Sequence, residues 1–294
     1  MKTNPLIELI FLAALWGASF LFMRVASPEL GPVLLMALRT LVASLILLPI
    51  LFYKKQQTAL SGKYKEIFIV AMLNTAIPFV LFGYATLSLS AGVTSVLNAT
   101  TPMFGVLVAF LWLKEKTQLS NLLGLIVGFI GVYLLMADKT HDTTNEVLLP
   151  TMAVLLATCC YGISANYTKV KLSGIGSLAL ATGSQVASAI VLIPISFWFL
   201  PQNSVSQEAV ISVILLGVFC TGLAYILFFR LISALGPNKA ITVTYLIPVF
   251  GILWGFIFLS EKISTSTIIG AGTILLGVGL STGVLNPRKW IKGR

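Results

Sequence analysis

The chain has 294 residues, 57% of them hydrophobic and only 10% charged, with a formal net charge of +10. A soluble domain carries about a quarter of its residues as charges, so a water-covered globular surface is excluded. The nineteen Lys and Arg are spread over polar breaks instead of lining one face, which argues against a nucleic-acid partner.

Apolar runs of about twenty residues, each enough to cross roughly 30 Å of hydrocarbon, follow one another along the chain. They predict membrane spans at 5–25, 31–52, 66–88, 91–113 and 119–137. A polar stretch from Asp138 to Glu146 separates these from spans at 148–168, 176–200, 208–233, 237–259 and 264–284. Turn residues mark the breaks at Ser27-Pro28, Ser61-Gly62, Ser173-Gly174 and Gly236-Pro237. Lys2 ahead of an apolar run imitates a secretory signal, but the first span matches a mid-chain segment that cannot be one. With the N-terminus inside, fifteen of the nineteen basic residues fall on the cytoplasmic side, from Lys2 through Lys54 and Lys169 to the tail Arg288–Arg294. Arg24, Lys139 and Lys262 fall on the other side, and Arg39 is left within span 2. Because cytoplasmic loops are the basic ones, both termini are expected inside and the number of spans is even. The predicted fold is an all-α integral membrane protein of ten transmembrane helices.

The sequence repeats itself. Trp16-Gly17-Ala18-Ser19 matches Tyr161-Gly162-Ile163-Ser164, and Arg24 matches Lys169, at an offset of 145 residues. Leu47-Leu48-Pro49 matches Leu192-Ile193-Pro194 at the same offset. With one residue inserted, Pro102-Met103-Phe104-Gly105 matches Pro248-Val249-Phe250-Gly251 at 146. Glu115-Lys116 then matches Glu261-Lys262, while Gly124 and Gly131 match Gly270 and Gly277. Five spans per copy is an odd number, so the second repeat is expected to cross in the opposite sense. Two opposed, equivalent halves can exchange outward-open and inward-open states, an architecture used by secondary transporters.

These residues resemble the drug/metabolite transporter superfamily, in its bacterial form with two EamA-like domains. The resemblance is carried by Trp16-Gly17-Ala18-Ser19-Phe20, Arg39, Pro102 followed by Glu115, and their partners Pro248 and Glu261. It implies domains at 5–137 and 148–284, with 285–294 left as a basic tail. It also implies a multi-pass protein of a bacterial inner membrane that moves small metabolites, often amino acids or toxic analogues. The chain departs from its own symmetry at Arg39, whose counterpart is Ser184.

Candidate site residues follow from the cost of polarity in lipid. Pro102 and Pro248 fall near mid-span, where each removes an amide donor and frees the carbonyl of Asn98 or Thr244. They act either as hinges bordering a cavity or as bends satisfied by Ser and Thr. Asn74, Thr75, Asn98, Thr101, Gln185, Tyr225, Thr244 and Tyr245 should face inward, either as glue between helices or as a polar pathway. Trp16, about 16 Å into span 1, is too deep for an interfacial belt and reads as a cavity wall with Tyr161. The candidate substrate cavity is thus Trp16, Ser19, Asn74, Asn98, Thr101, Tyr161, Ser164, Tyr225, Thr244 and Tyr245.

Arg39 is the intramembrane charge, expected to bind helix-end carbonyls or to snorkel outward. Glu8 lies too far along the membrane normal to meet it. Glu115 and Glu261 read as capping or gating residues at helix ends. Cys159, Cys160 and Cys220 lie in apolar runs and behave as small hydrophobes. His141 has no companions for a metal or a triad, so no metal, cofactor or catalytic set is expected. Cargo and lipid are the expected partners, with no nucleic acid. The expected activity is export of small polar or zwitterionic metabolites such as amino acids. A channel or an importer is the alternative, and a membrane enzyme a more distant one.

Overall fold

The computed structural model describes residues 4–115, 118–137 and 144–285. His141 and the basic tail from residue 286 onward lie outside them. Every regular element among the described residues is helical. Chain order gives α1 (Pro5–Tyr53), α2 (Tyr64–Ala85), α3 (Ala91–Trp112), α4 (Leu119–Ala137), α5 (Thr144–Lys171), α6 (Ser177–Phe199) and α7 (Gln207–Leu235). After a short turn of helix at Pro237–Ala240 come α8 (Val243–Leu259) and α9 (Thr265–Ser281). Seven of these are long and apolar enough to cross a membrane, and α8 and α9 are shorter apolar helices.

The 49 residues of α1 would extend about 74 Å if straight, more than twice a bilayer core. The helix instead breaks at Gly31, which sits at φ 71°, ψ 155°. Proline pushes its predecessor out of the α region, and only glycine adopts this positive φ cheaply, so Gly31-Pro32 turns the chain. Met23 and Arg39 would stand about 24 Å apart on a straight helix, yet Arg39 Nη1 lies 3.9 Å from Met23 Sδ. The two arms, 5–30 and 32–53, fold back on each other. This corrects the expected break at Ser27-Pro28, both of which stay helical. Elsewhere Gly62, Gly174 and Gly236 take positive φ where turns were expected.

Two more differences lie inside helices. α3 is interrupted at Ala99–Thr100, so Pro102 stands in the first turn of the segment Thr101–Trp112, where an amide donor is not needed. The carbonyl of Asn98 is taken by the Thr101 hydroxyl at 2.8 Å. Pro102 therefore begins a helix and does not bend one, whereas Pro248 does lie inside α8. π-Helical turns occur at Met72–Ala76 in α2 and Val218–Leu223 in α7, start positions that are 146 residues apart.

The packing is reciprocal. Gly17 backs onto Phe250 and Gly251, and Gly162 onto Phe104 and Gly105. Gly124 abuts Ser281 and Gly277, and its match Gly270 abuts Leu135, the position equivalent to Ser281. Gly131 meets Ile274, and Gly277 meets Gly128, the position equivalent to Ile274. Small residues let helix backbones approach closely where no hydrophobic drive exists between helices in lipid. The outer surface is apolar: Leu45, Ile190 and Ile268 are 63%, 67% and 62% exposed. Polar side chains such as Thr75, Gln185 and Thr221 are fully buried, as lipid-facing helices require.

Candidate functional site

The arms of α1 with α2, α3, α5, α7 and α8 enclose a cavity of about 310 Å³, within the size range of small-ligand sites. Of the expected residues, Trp16, Ser19, Asn74, Asn98, Thr101, Tyr161, Tyr225 and Thr244 line it. Ser164 and Tyr245 do not. Ser164 is 1% exposed inside the bundle, and the Tyr245 hydroxyl turns to Thr282 Oγ1 at 2.9 Å, so helix rotation takes both away from the cavity.

Residues not expected at the cavity complete the wall: Phe20, Met23, Phe79, Phe82, Ala165, Cys220, Phe228 and Ile247, together with the intramembrane charge Arg39. The repeat offset was the signal that could have found most of them. Trp16 pairs with Tyr161, and Phe20 with Ala165, across the offset of 145. At 146 the pairs are Asn74 with Cys220, Phe79 with Tyr225, Phe82 with Phe228, Asn98 with Thr244 and Thr101 with Ile247. The ring contacts obey the same relation. Trp16 meets Phe228 with centroids 5.2 Å apart, and Tyr161 stacks on Phe82 at 5.9 Å. The cavity is lined by equivalent faces of the two sequence copies.

Arg39 breaks the pattern. It is 5% exposed and neither snorkels nor reaches helix-end carbonyls, which corrects both expectations. Its Nε donates to Thr221 Oγ1 at 2.9 Å, and its Cζ stands 4.0 Å from the Phe79 ring centroid. Thr221 belongs to the π-turn of α7 and donates its own proton to Leu216 O at 2.8 Å. The equivalent position, Ser184, shares a 2.8 Å hydrogen bond with Thr75 in the π-turn of α2. π-Turns redirect side chains out of helical register and recur at functional sites. Here each anchors the partner of one equivalent pair.

The two ends of the bundle are tied differently. At one end Lys169 Nζ meets Glu115 Oε1 at 2.6 Å and Arg230 Nη2 meets Glu8 Oε1 at 2.7 Å. At the other end Arg24, equivalent to Lys169, donates to the carbonyls of Thr86 (2.7 Å) and Leu87 (2.6 Å). Glu261, equivalent to Glu115, accepts the Ala91 and Gly92 amides at 2.7 and 3.2 Å, capping the N-terminus of α3. At this same end Glu29 accepts the Ser206 amide and hydroxyl at 2.6 and 2.7 Å.

Comparison with known proteins agrees with this architecture. A family model described as the EamA-like transporter family matches residues 5–137 and 148–283. The uncharacterized transporter YoaV of Bacillus subtilis is 24% identical over 97% of this chain and 98% of its own length. Protein PagO of Salmonella typhimurium is 21% identical over 95% of this chain and 93% of its own length. A solved crystal structure superposes with a TM-score of 0.68 over 98% of this chain and all of its own, at 14% identity, which speaks for the fold alone. Together with the run of apolar helices, these matches make the chain a multi-pass membrane protein and point to a transporter instead of an enzyme. It is a member of the EamA-like transporter family, in the drug/metabolite transporter superfamily.

Proposed function

We propose that the chain is an inner-membrane secondary transporter that exports small organic solutes such as amino acids by alternating access. Its ten spans form two inverted five-helix repeats, 5–137 and 148–284, followed by the basic tail 285–294. Counting the arms of α1 separately supplies the tenth helix, and the reciprocal glycine contacts support the repeat. The distribution of Lys and Arg puts both termini in the cytoplasm. A reporter fused after Arg294 is then cytoplasmic and one inserted near Thr143 periplasmic; finding both on one side refutes the arrangement.

The observation that carries the reading is the unequal treatment of equivalent residues. Glu115 and Lys169 form an ion pair across the repeats, while Glu261 and Arg24 are each engaged elsewhere. Two equivalent halves in unequal states describe one half-cycle: a closed cytoplasmic gate and a released periplasmic one. Exchange of the two roles yields the inward-open state. A channel needs no such exchange, and among the described residues that line the cavity Arg39 is a lone charge and not part of a ring.

The cavity residues Trp16, Asn74, Asn98, Thr101, Tyr161, Tyr225 and Thr244 then receive the solute. Pro248 inside α8, and the α3 interruption ahead of Pro102, are the flexing points. Purified protein in liposomes should show saturable counterflow of amino acids. Trp16→Ala and Asn98→Ala should weaken it roughly tenfold, the scale of one lost hydrogen bond or ring contact. In the same assay Pro248→Ala should slow turnover without loss of folded protein. Flux that rises linearly with concentration and shows no counterflow would make the protein a channel.

A further inference from the structure

We propose that Arg39 is the substrate anchor and that it selects an organic monocarboxylate with an apolar or aromatic body, for which a free ammonium group is dispensable. This rests on the cavity being the substrate site and names the chemistry of what enters it.

The first support is the comparison of Arg39 with its own counterpart. Each repeat uses this position to hold the threonine of a π-turn on the opposite repeat. Ser184 does so with a hydroxyl, 2.8 Å from Thr75. Arg39 does so with its Nε, 2.9 Å from Thr221. The packing task is therefore met by a neutral side chain of two heavy atoms in one half. The charge in the other half is surplus to it, and a surplus charge at membrane depth is costly.

The second support is what surrounds that charge. No Asp or Glu lines the cavity, and among the described residues no carboxylate forms an ion pair with Arg39. Its compensation is one hydroxyl, a thioether at 3.9 Å and the Phe79 ring face. A cation held this way, in the wall of the cavity, is completed by an anion that takes a guanidinium's parallel donors. Ser19 Oγ, also in the wall, is buried beside the Cys220 thiol and makes no hydrogen bond to a protein oxygen or nitrogen.

The remaining wall sets the rest of the molecule. One positive charge matches one negative charge, so phosphate esters and dicarboxylates are rejected. With no acidic side chain facing it, an ammonium gains only amides, hydroxyls and ring faces. Trp16, Phe20, Phe82, Tyr161 and Phe228 offer an aromatic sleeve that shelters an apolar body.

The test uses three probes of one shape: phenylacetate, phenylacetamide and 2-phenylethylamine. Each is titrated into purified protein by tryptophan fluorescence and offered in counterflow from liposomes. The parent protein should prefer phenylacetate over both others by roughly tenfold or more, the scale of a charge-assisted hydrogen-bonded pair. Arg39→Ser, which copies the Ser184 arrangement, should stay folded by size exclusion and thermal unfolding. It should lose the preference by binding phenylacetate no better than phenylacetamide. Arg39→Lys should retain part of the preference, because the charge survives and the fork does not. Equal binding of carboxylate and amide by the parent overturns the proposal without any variant, as does no binding of any of the three. A carboxylate preference that persists in folded Arg39→Ser assigns recognition to another group and also overturns it. Amino-acid counterflow by the parent is a separate reading, so the transporter assignment stands or falls apart from these outcomes.

Discussion

Gly277→Leu is expected to abolish folded, monodisperse protein, while Gly272→Leu, five residues earlier on the same helix, leaves thermal stability unchanged. Gly277 sits where α9 crosses α4, and a Cβ added there would overlap the backbone of Gly128 and Gly124 O. Nothing on the opposing side is a side chain that can swing away. The neighbouring contacts are equally close: a Cβ on Gly131 would stand 2.6 Å from Ile274 N, and one on Gly270 2.7 Å from Leu135 Cα. Relief needs the two helices to part along their length, so the cost lies at the upper end of overpacking, about 3 kcal/mol or more. Gly272 meets nothing within 4 Å and its leucine would point into lipid. Size exclusion and thermal unfolding in detergent compare the two. If Gly277→Leu purifies and melts like Gly272→Leu, the helices do not meet backbone to backbone.

Turnover is expected to fall roughly five- to tenfold in Glu115→Lys and to recover in Glu115→Lys/Lys169→Glu. The side chains of this pair are 47% and 62% exposed, and exposed pairs contribute only about 0–1 kcal/mol. The fold should therefore be indifferent to the change. A transport cycle is not, because a bias of about 1 kcal/mol moves a two-state population several-fold, and like charges across the gate add repulsion. The equivalent pair at the opposite end of the bundle supplies the sharper measurement. Arg24 and Glu261 hold other partners in this structure, but the alternating-access cycle proposed above would bring them together as Glu115 and Lys169 are here. Arg24→Cys/Glu261→Cys should be linked during turnover by a short bis-methanethiosulfonate, which forms a disulfide with each cysteine and releases methanesulfinate, and transport should stop until reductant cleaves the disulfides. Failure to cross-link under turnover, with both thiols shown to be reactive, removes the exchange of gates.

Much of the molecule could be read in the linear chain. Runs of apolar residues declare helices in lipid because nothing else satisfies the backbone there. Matched motifs at offsets of 145 and 146 declared the repeat, and most of the polar and aromatic residues expected inside it, among them Trp16, Tyr161, Asn98 and Thr244, come together at one cavity. Those residues announce themselves because polarity in a hydrocarbon run is expensive and must be turned inward.

The apolar lining did not announce itself. Phe79, Phe82 and Phe228 are cavity walls while Phe52, Phe197 and Phe258 face outward, yet all sit in equally apolar runs. In a soluble helix the polar face would distinguish them; in lipid both faces are apolar, and only helix rotation in the packed bundle decides. Ser164 and Tyr245 were lost for the same reason. The break at Gly31 has a local cause in Gly31-Pro32, but the sequence offered Ser27-Pro28 as a rival, and only the contact between the two arms tells them apart. The π-turns at Met72–Ala76 and Val218–Leu223 depended on neighbouring helices accepting the displaced side chains. Arg39 was visible from the start as a charge in a span, but its meaning was not. Its partner Thr221 lies 182 residues away, and the comparison with Ser184 and Thr75 exists only once both helix pairs are in contact. The sequence determines which residues must avoid lipid, because that cost belongs to each residue alone; the tertiary structure determines what they meet, because meeting depends on the rotation and crossing of helices far apart in the chain.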